Sequence, residues 1–252
     1  MNYLGSKRKY CKYIVPIIQK YINENDITTF VDCFCGGANL ADNIQCENVI
    51  CNDLSPTLID LHKQAQKDFS KIPSEGNREY WDLAYAEWKR LVANPNYKPL
   101  MPLFVIGAIE WYGSFCCGGF PRGYAKNFGN RRFYQENYNS HKKQAEKENY
   151  KKIQFICGSY DKIPNLPKER ILLYCDSPYK GTTPYGIDKS FNFYKYYQWL
   201  IEMSREYPIF ISEQELPPQF NDFIIWEKND VKRTTRLDNG FVAKEKLYLL
   251  GS

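Results

Sequence analysis

The chain has 252 residues, 43% of them hydrophobic, and a formal net charge of +5. That length gives one large domain, or a core carrying an insertion, with apolar material for a sizeable core. No apolar run reaches the length of a membrane span and Met1 to Tyr10 is polar and basic, which argues against a signal peptide and for a cytosolic protein.

Tyr10, Tyr13, Ile14, Ile17, Ile18 and Tyr21 recur at helical spacing. A helix is therefore predicted after Met1 to Lys7, with Ser6 as its N-cap and Pro16 inside it. Gly5 and Ser6 would present N–H groups to an anion there, or serve helix stability alone. Thr28 to Phe34 is β-branched and aromatic and reads as a strand. It runs into Cys35-Gly36-Gly37-Ala38 and then a helix. Glycines at such a turn let a ligand approach the backbone closely. Asp32, before the turn, suits a cationic or polar ligand better than a pyrophosphate, and there is no GxGxxG fingerprint. Val49 to Cys51 is a second strand, ending in Asn52-Asp53-Leu54-Ser55-Pro56. An acid at that tip can hold ribose hydroxyls. Asp53 or Ser55 can equally cap a helix beginning at Pro56, and the two roles are compatible.

Residues 56–113 read as helices. Trp81, Ala84, Tyr85, Trp88, Leu91 and Val92 form an apolar stripe of core character, and Leu103 to Tyr112 is apolar on nearly every side. From Trp111 to Lys126, glycines, aromatics and bases alternate, which excludes a continuous helix. A loop or hairpin there would present Phe120, Arg122, Tyr124 and Lys126. Aromatics stack on bases or wedge into a base step, and Arg and Lys reach phosphates. Residues 114–152, with Arg131 and Arg132 among them, hold nine Lys/Arg against three Glu, so the rest of the chain is close to neutral. A basic segment in a neutral body fits a polyanion partner or a solvated surface loop and helix, and charge alone does not choose. A basic helix is predicted over about Gln135 to Tyr150.

Ile153 to Cys157 is the third predicted strand, leading into Gly158-Ser159-Tyr160-Asp161. The fourth, Ile171 to Tyr174, enters Cys175-Asp176-Ser177-Pro178-Tyr179. In open α/β sheets chemistry collects at such strand ends. An amino group on a flat ring fits this set. Asp176 accepts one N–H, the Ser177 carbonyl accepts the other, Tyr179 stacks on the ring and Pro178 stiffens the loop. The same Asp-Ser-Pro triplet is also an ordinary turn initiator. A helix over Phe191 to Glu206 follows, then strands at Ile209 to Ser212, Phe223 to Trp226 and Lys246 to Leu250. The nine cysteines contain no CxxC pair and there are only two histidines, so no metal site is expected. Cys33, Cys51, Cys157 and Cys175 fall in predicted strands, where a reduced thiol packs as a small apolar group.

Three stations line up: a Gly-Gly turn after the first strand, an acidic tip on the second and Asp-x-Pro-Tyr after the fourth. This order resembles the Dam-type DNA adenine-N6 methyltransferases, which use S-adenosylmethionine. Tyr3-Leu4-Gly5-Ser6-Lys7 looks like that family's aromatic-x-Gly-Gly/Ser-Lys opening, Phe30 to Gly37 like its F-x-D/E-x-F-x-G-G motif, and Asp176 to Tyr179 like its D-P-P-Y motif. The resemblance covers nearly the whole chain. It implies an α/β fold: a Rossmann-like methyltransferase sheet with helices on both faces and an inserted helical or hairpin target-recognition region. Residues 1–55 and 152–252 would form the catalytic core and 56–151 the insert.

The resemblance also implies roles. Tyr3, Lys7, Asp32, the turn Phe34 to Gly37 with Gly36, Asp53, Ser159 and Tyr160 would line the cofactor site. Asp176 would meet the target amine beside the methyl donor, with Ser177, Pro178 and Tyr179 around it. Phe120, Arg122, Tyr124, Lys126, Arg131 and Arg132 would contact double-stranded DNA, in the cytosol of a bacterium or phage-infected host. Two departures stand out. Ser177 replaces the first proline of the pair, which loosens the loop. Ser159 stands where the family often has an acid before an aromatic; Tyr160 keeps the aromatic. Cytosine-N4 or RNA methylation would use nearly the same chemistry, and Ser177 is the one feature favouring a catalytically weak DNA-binding homologue. Nuclease protection and regulation stay open as roles.

Overall fold

The computed structural model describes residues 7–75, 78–94, 96–113, 131–163, 170–179, 191–232 and 242–251. Seven strands form one mixed sheet. They are β1 (Thr29–Asp32), β2 (Asn48–Asp53), β3 (Gln154–Cys157), β4 (Ile171–Cys175), β5 (Ile209–Glu213), β6 (Ile224–Lys232) and β7 (Val242–Leu250). Their order across the sheet is β3-β2-β1-β4-β5-β7-β6. The first five run parallel, and β7 lies antiparallel between β5 and β6. The chain moves outward from β1 to β3, then returns to place β4 on the other side of β1. The reversal makes β1/β4 the topological switch point, where a crevice opens at the carboxyl ends.

β1, β4 and β5 are buried along their whole length, as expected of parallel strands covered on both faces. Alternation divides their side chains between two cores. Phe30, Cys51, Leu172, Tyr174 and Phe210 join one core with helices α1 (Cys11–Glu24) and α2 (Pro56–Lys67). Val31, Ile50, Leu173, Cys175 and Ile211 face α7 (Phe193–Met203) on the other side. The expected sheet with helices on both faces is thus present.

Between β2 and β3 lie α2, α3 (Arg78–Ala93), α4 (Leu103–Gly113), α5 (Arg131–Ala145) and α6 (Glu148–Lys152). The α3 stripe packs on α4 as a separate small core of Trp81, Ala84, Trp88, Leu91, Val105, Ile106 and Ile109. The opposite side of α4, with Ala108, Trp111 and Tyr112, joins the sheet core, so the helix is buried all round. At Gly107 α4 meets α2 so closely that a Cβ would lie 2.3 Å from the Thr57 carbonyl oxygen. Among the described residues no helix is long and apolar enough to cross a membrane.

Several expectations need correction. α1 begins at Cys11, with Tyr10 at its N-cap and no side-chain cap, and Lys7–Lys9 forms a preceding 3-10 turn. The helix therefore starts well past Ser6. β1 stops at Asp32, so Phe34 belongs to the following loop, and the helix expected after the Gly-Gly turn is only a 3-10 turn, Ala41–Asn43, before β2. The helix expected over Gln135 to Tyr150 is two, α5 and α6, broken at residues 146–147. β6 and β7 are longer than predicted, because each pairs along most of its length. The seven described cysteines are free thiols; Cys157, at the end of the edge strand β3, is exposed rather than packed.

Candidate active site

Three carboxylates gather at the switch point. Asp32 ends β1 and Asp53 ends β2; Asp176 follows β4 by one residue. Register accounts for this. Asp32 pairs with Cys51 and with Tyr174, and Asp53 and Asp176 each lie two residues further on, the step that returns a side chain to the same face. Burial pushes the Asp32 carboxyl well up, and Asp176 and Asp53 both add to it, so Asp32 sits within electrostatic reach of the other two. Asp53 is also raised, first by burial, although Gly36 N–H (3.0 Å) and Ser55 N–H (2.9 Å) donate to it. Phe34 N–H donates to Asp32 at 3.2 Å.

The loop after β1 wraps around these acids. Gly36 has φ +48° and Ala38 +52°, both left-handed, a conformation glycine adopts without strain. Phe34 stacks on Tyr160 with ring centroids 5.2 Å apart, giving the crevice an aromatic wall. Asn52 ties the loops together, donating to the carbonyls of Cys33 (3.1 Å) and Gly158 (3.0 Å). The Ser159 hydroxyl turns toward Asp161, which pairs with Lys195.

Lys7 is the hub on the Asp176 side. Its ammonium is buried, 3.0 Å from Asp176 and 2.8 Å from Glu245 on β7, and 4.3 Å above the Tyr179 ring. The Tyr179 hydroxyl donates to the same Glu245 carboxylate at 3.1 and 3.0 Å. Burial opposes the charge on Lys7, but Asp176 and then Glu245 outweigh it and raise its pKa. Asp176 is pushed up to about 6, chiefly by burial, with Lys7 pulling down and Glu245 pushing up. Glu213, at the end of β5, is raised by burial to about 8. The buried hydroxyls of Ser177 and Tyr196 have no hydrogen-bond partner among the described residues.

Behind the Gly-Gly loop runs a buried relay. His62 Nε2 lies 2.8 Å from the Gly36 carbonyl, and His62 Nδ1 lies 2.7 Å from the Tyr150 hydroxyl. That hydroxyl is 2.9 Å from His141 Nε2, and His141 Nδ1 is 2.5 Å from the Tyr112 hydroxyl. A carbonyl only accepts, so His62 Nε2 carries the hydrogen. Burial lowers His62 to about 4 and His141 well below its usual value, so both rings are neutral. Each remaining role then follows: Tyr112 donates to His141, His141 to Tyr150, Tyr150 to His62 and His62 to Gly36. The next carbonyl, Gly37, accepts from Gln144 of α5 at 2.9 Å. Helices from between β2 and β3 thus hold both loop carbonyls.

Lys7, Asp32, Phe34, Gly36, Gly37, Asp53, Tyr160 and Asp176 to Tyr179 come together at the carboxyl ends of β1, β2 and β4, joined by the contacts above. Tyr3, Phe120, Arg122, Tyr124 and Lys126 lie outside the described residues, as do the side chains of Arg131 and Arg132, which open α5. Sequence reasoning missed Glu213, Glu245 and both histidines. A signal existed for Glu245: it sits two residues before Leu247 on a strand, a charge at a position whose period-2 neighbour is apolar. The histidines carry no local signal.

A family model for D12 class N6 adenine-specific DNA methyltransferases matches residues 3–213. The type II methyltransferase M.FokI of Planomicrobium okeanokoites is 26% identical over 202 residues, covering 73% of this chain and 29% of that protein. The modification methylase StsI of Streptococcus sanguinis is 29% identical over 123 residues, covering 46% of this chain and 18% of its own length. The chain thus spans under a third of these two relatives. Among solved structures, the rRNA methyltransferase aviRa of Streptomyces viridochromogenes aligns with a TM-score of 0.40 at 9% identity, over 96% of this chain and 85% of that one.

Proposed function

Because the chain belongs to the D12 class of N6 adenine-specific DNA methyltransferases, we propose that it methylates the N6 amine of an adenine flipped out of double-stranded DNA. Family membership implies S-adenosylmethionine, and the crevice residues fit it. Buried Asp32 and half-buried Asp53 suit ribose hydroxyls and a cationic centre, and the stacked pair Phe34 and Tyr160 suits a purine face. Lys7, Gly36 and Gly37 complete this side, with Ser159 at its rim. The cofactor, when bound, supplies an electrophilic methyl group on a positively charged sulfur.

The observation that carries the reading is the held carboxylate of Asp176. Lys7 takes its Oδ1 at 3.0 Å, which leaves Oδ2 for an incoming amine. The adenine amine is a poor nucleophile because its lone pair is delocalised into the ring. Asp176 Oδ2 and the Ser177 carbonyl would accept its two N–H groups and favour tetrahedral nitrogen, and the carboxylate would stabilise the positive charge that develops. The new N–C bond would replace the methyl group's S–C bond, leaving a neutral thioether, and Asp176 Oδ2 would accept the proton that the amine sheds. Tyr179, fixed by Lys7 and Glu245, would stack on the base and offset part of the cost of flipping, a few kcal/mol.

The catalytic core would comprise 1–55 and 152–252. Target recognition would fall to 56–151, whose first helix α2 also covers the sheet. Phe120, Arg122, Tyr124, Lys126, Arg131 and Arg132 would supply its contacts to bases and phosphates. The names of the M.FokI and StsI relatives favour a site-specific modification role. The test is incubation with methyl-labelled cofactor and duplex DNA, followed by digestion to nucleosides. Label in N6-methyladenine is expected. Label confined to cytosine, or to RNA in a parallel reaction, would overturn the assignment.

A further inference from the structure

We propose that Glu245 is a positioning residue for methyl transfer: it fixes Lys7 and Tyr179 against the target base and keeps the field at the amine negative. The inference rests on the function proposed above and concerns a residue beyond position 213, where the family match ends. Glu245 is buried on β7, paired in register with Lys228 of β6. A carboxylate buried there needs partners, and it has two. Lys7 lies at 2.8 Å, and the Tyr179 hydroxyl donates at 3.1 and 3.0 Å to its two oxygens. Both partners touch the chemistry: Lys7 grips Asp176, and Tyr179 carries the ring expected to stack.

Lys7 opposite Asp176 alone would be a neutral pair, and the ammonium would cancel the carboxylate where the amine becomes cationic. Adding Glu245 gives two carboxylates around one ammonium, a net negative trio. Among the described residues, the other titratable groups that interact with Asp176 are Asp32 on β1, Tyr174 on β4 and Glu213 on β5, while Tyr179 faces Lys7 and Glu245. Burial raises Glu213 to about 8, so it is mainly uncharged at neutral pH and does not replace Glu245.

The test compares wild type, Glu245→Gln and Glu245→Asp. Gln keeps the shape and an acceptor but removes the charge; Asp keeps the charge one methylene short. Glu245→Gln should lower the single-turnover methylation rate at saturating cofactor roughly 10- to 100-fold. Glu245→Asp should recover part of that loss. A second readout uses free protein: carbon-13 NMR titration of the Asp176 carboxyl, assigned with Asp176→Asn. Glu245 pushes the Asp176 pKa up, so its neutralisation should move that titration below about 6, and Glu245→Asp should move it less. An unmoved titration, or a Glu245→Gln rate within about twofold of wild type, overturns the inference. A wild type that methylates no DNA fails the functional reading instead, and the titration still tests the hold of Glu245 on Asp176.

Discussion

Asp176 is ionised at neutral pH because Lys7 offsets part of what its burial costs. Its pKa, raised from 3.8 to about 6, sets a direction for activity. The carboxylate exists above that value, and only the carboxylate offers acceptors alone. The methylation rate should therefore fall as pH drops through about 6, with a limb that shifts when Lys7 or Glu245 is altered; a rate constant down to pH 4 would contradict the assignment. Ser177 bears on the same site differently. The role proposed for it uses the main-chain carbonyl, and its buried hydroxyl has no partner in hydrogen-bond geometry. Ser177→Ala should keep the wild-type rate within about threefold and hold or raise the melting temperature. A loss of a hundredfold would mean that the hydroxyl itself takes part.

The helices between β2 and β3 reach the Gly36-Gly37 loop through α5. Gln144 and His141 lie one turn apart on that helix; one donates to Gly37, and the other reaches Gly36 through Tyr150 and His62. Removing a donor strands a buried carbonyl, which costs about 1–3 kcal/mol. Gln144→Leu should accordingly weaken S-adenosylmethionine binding roughly 5- to 100-fold in titration calorimetry. Gln64→Leu is the control. Its amide donates to the Asp68 carbonyl at the end of α2, outside the relay, so it should lower stability and leave cofactor affinity unchanged. Equal loss of affinity in both variants would mean a general effect of destabilisation.

Across the whole molecule, what could be read from the sequence divides by the range of the interaction. The buried strands were legible because Phe30-Val31 and Ile171 to Tyr174 are apolar runs stopped by acids, a local pattern. So were the crevice acids, since Asp32, Asp53 and Asp176 close such runs. α1 was misplaced at its start because Lys7 is drawn into pairs with Asp176 and Glu245, far along the chain. The relay was invisible for the same reason: Tyr112, His141, Tyr150 and His62 come from separate helices and meet only when α2, α4, α5 and α6 pack. Nothing near His62 marks it as a donor to Gly36. The basic stretch 114–152 supplies the remaining expectation at this scale. Duplex binding should weaken by about tenfold or more between roughly 50 and 200 mM salt. Salt-independent binding would remove that stretch from the interface.

The central claim is that a fixed carboxylate at position 176 grips the adenine amine. Single-turnover methylation with Asp176→Asn, at saturating cofactor and duplex, tests it most directly. Asn keeps the size and one acceptor oxygen but no charge. The rate should fall at least about 100-fold, with cofactor affinity within a few-fold of wild type. A rate within about twofold of wild type would contradict the account.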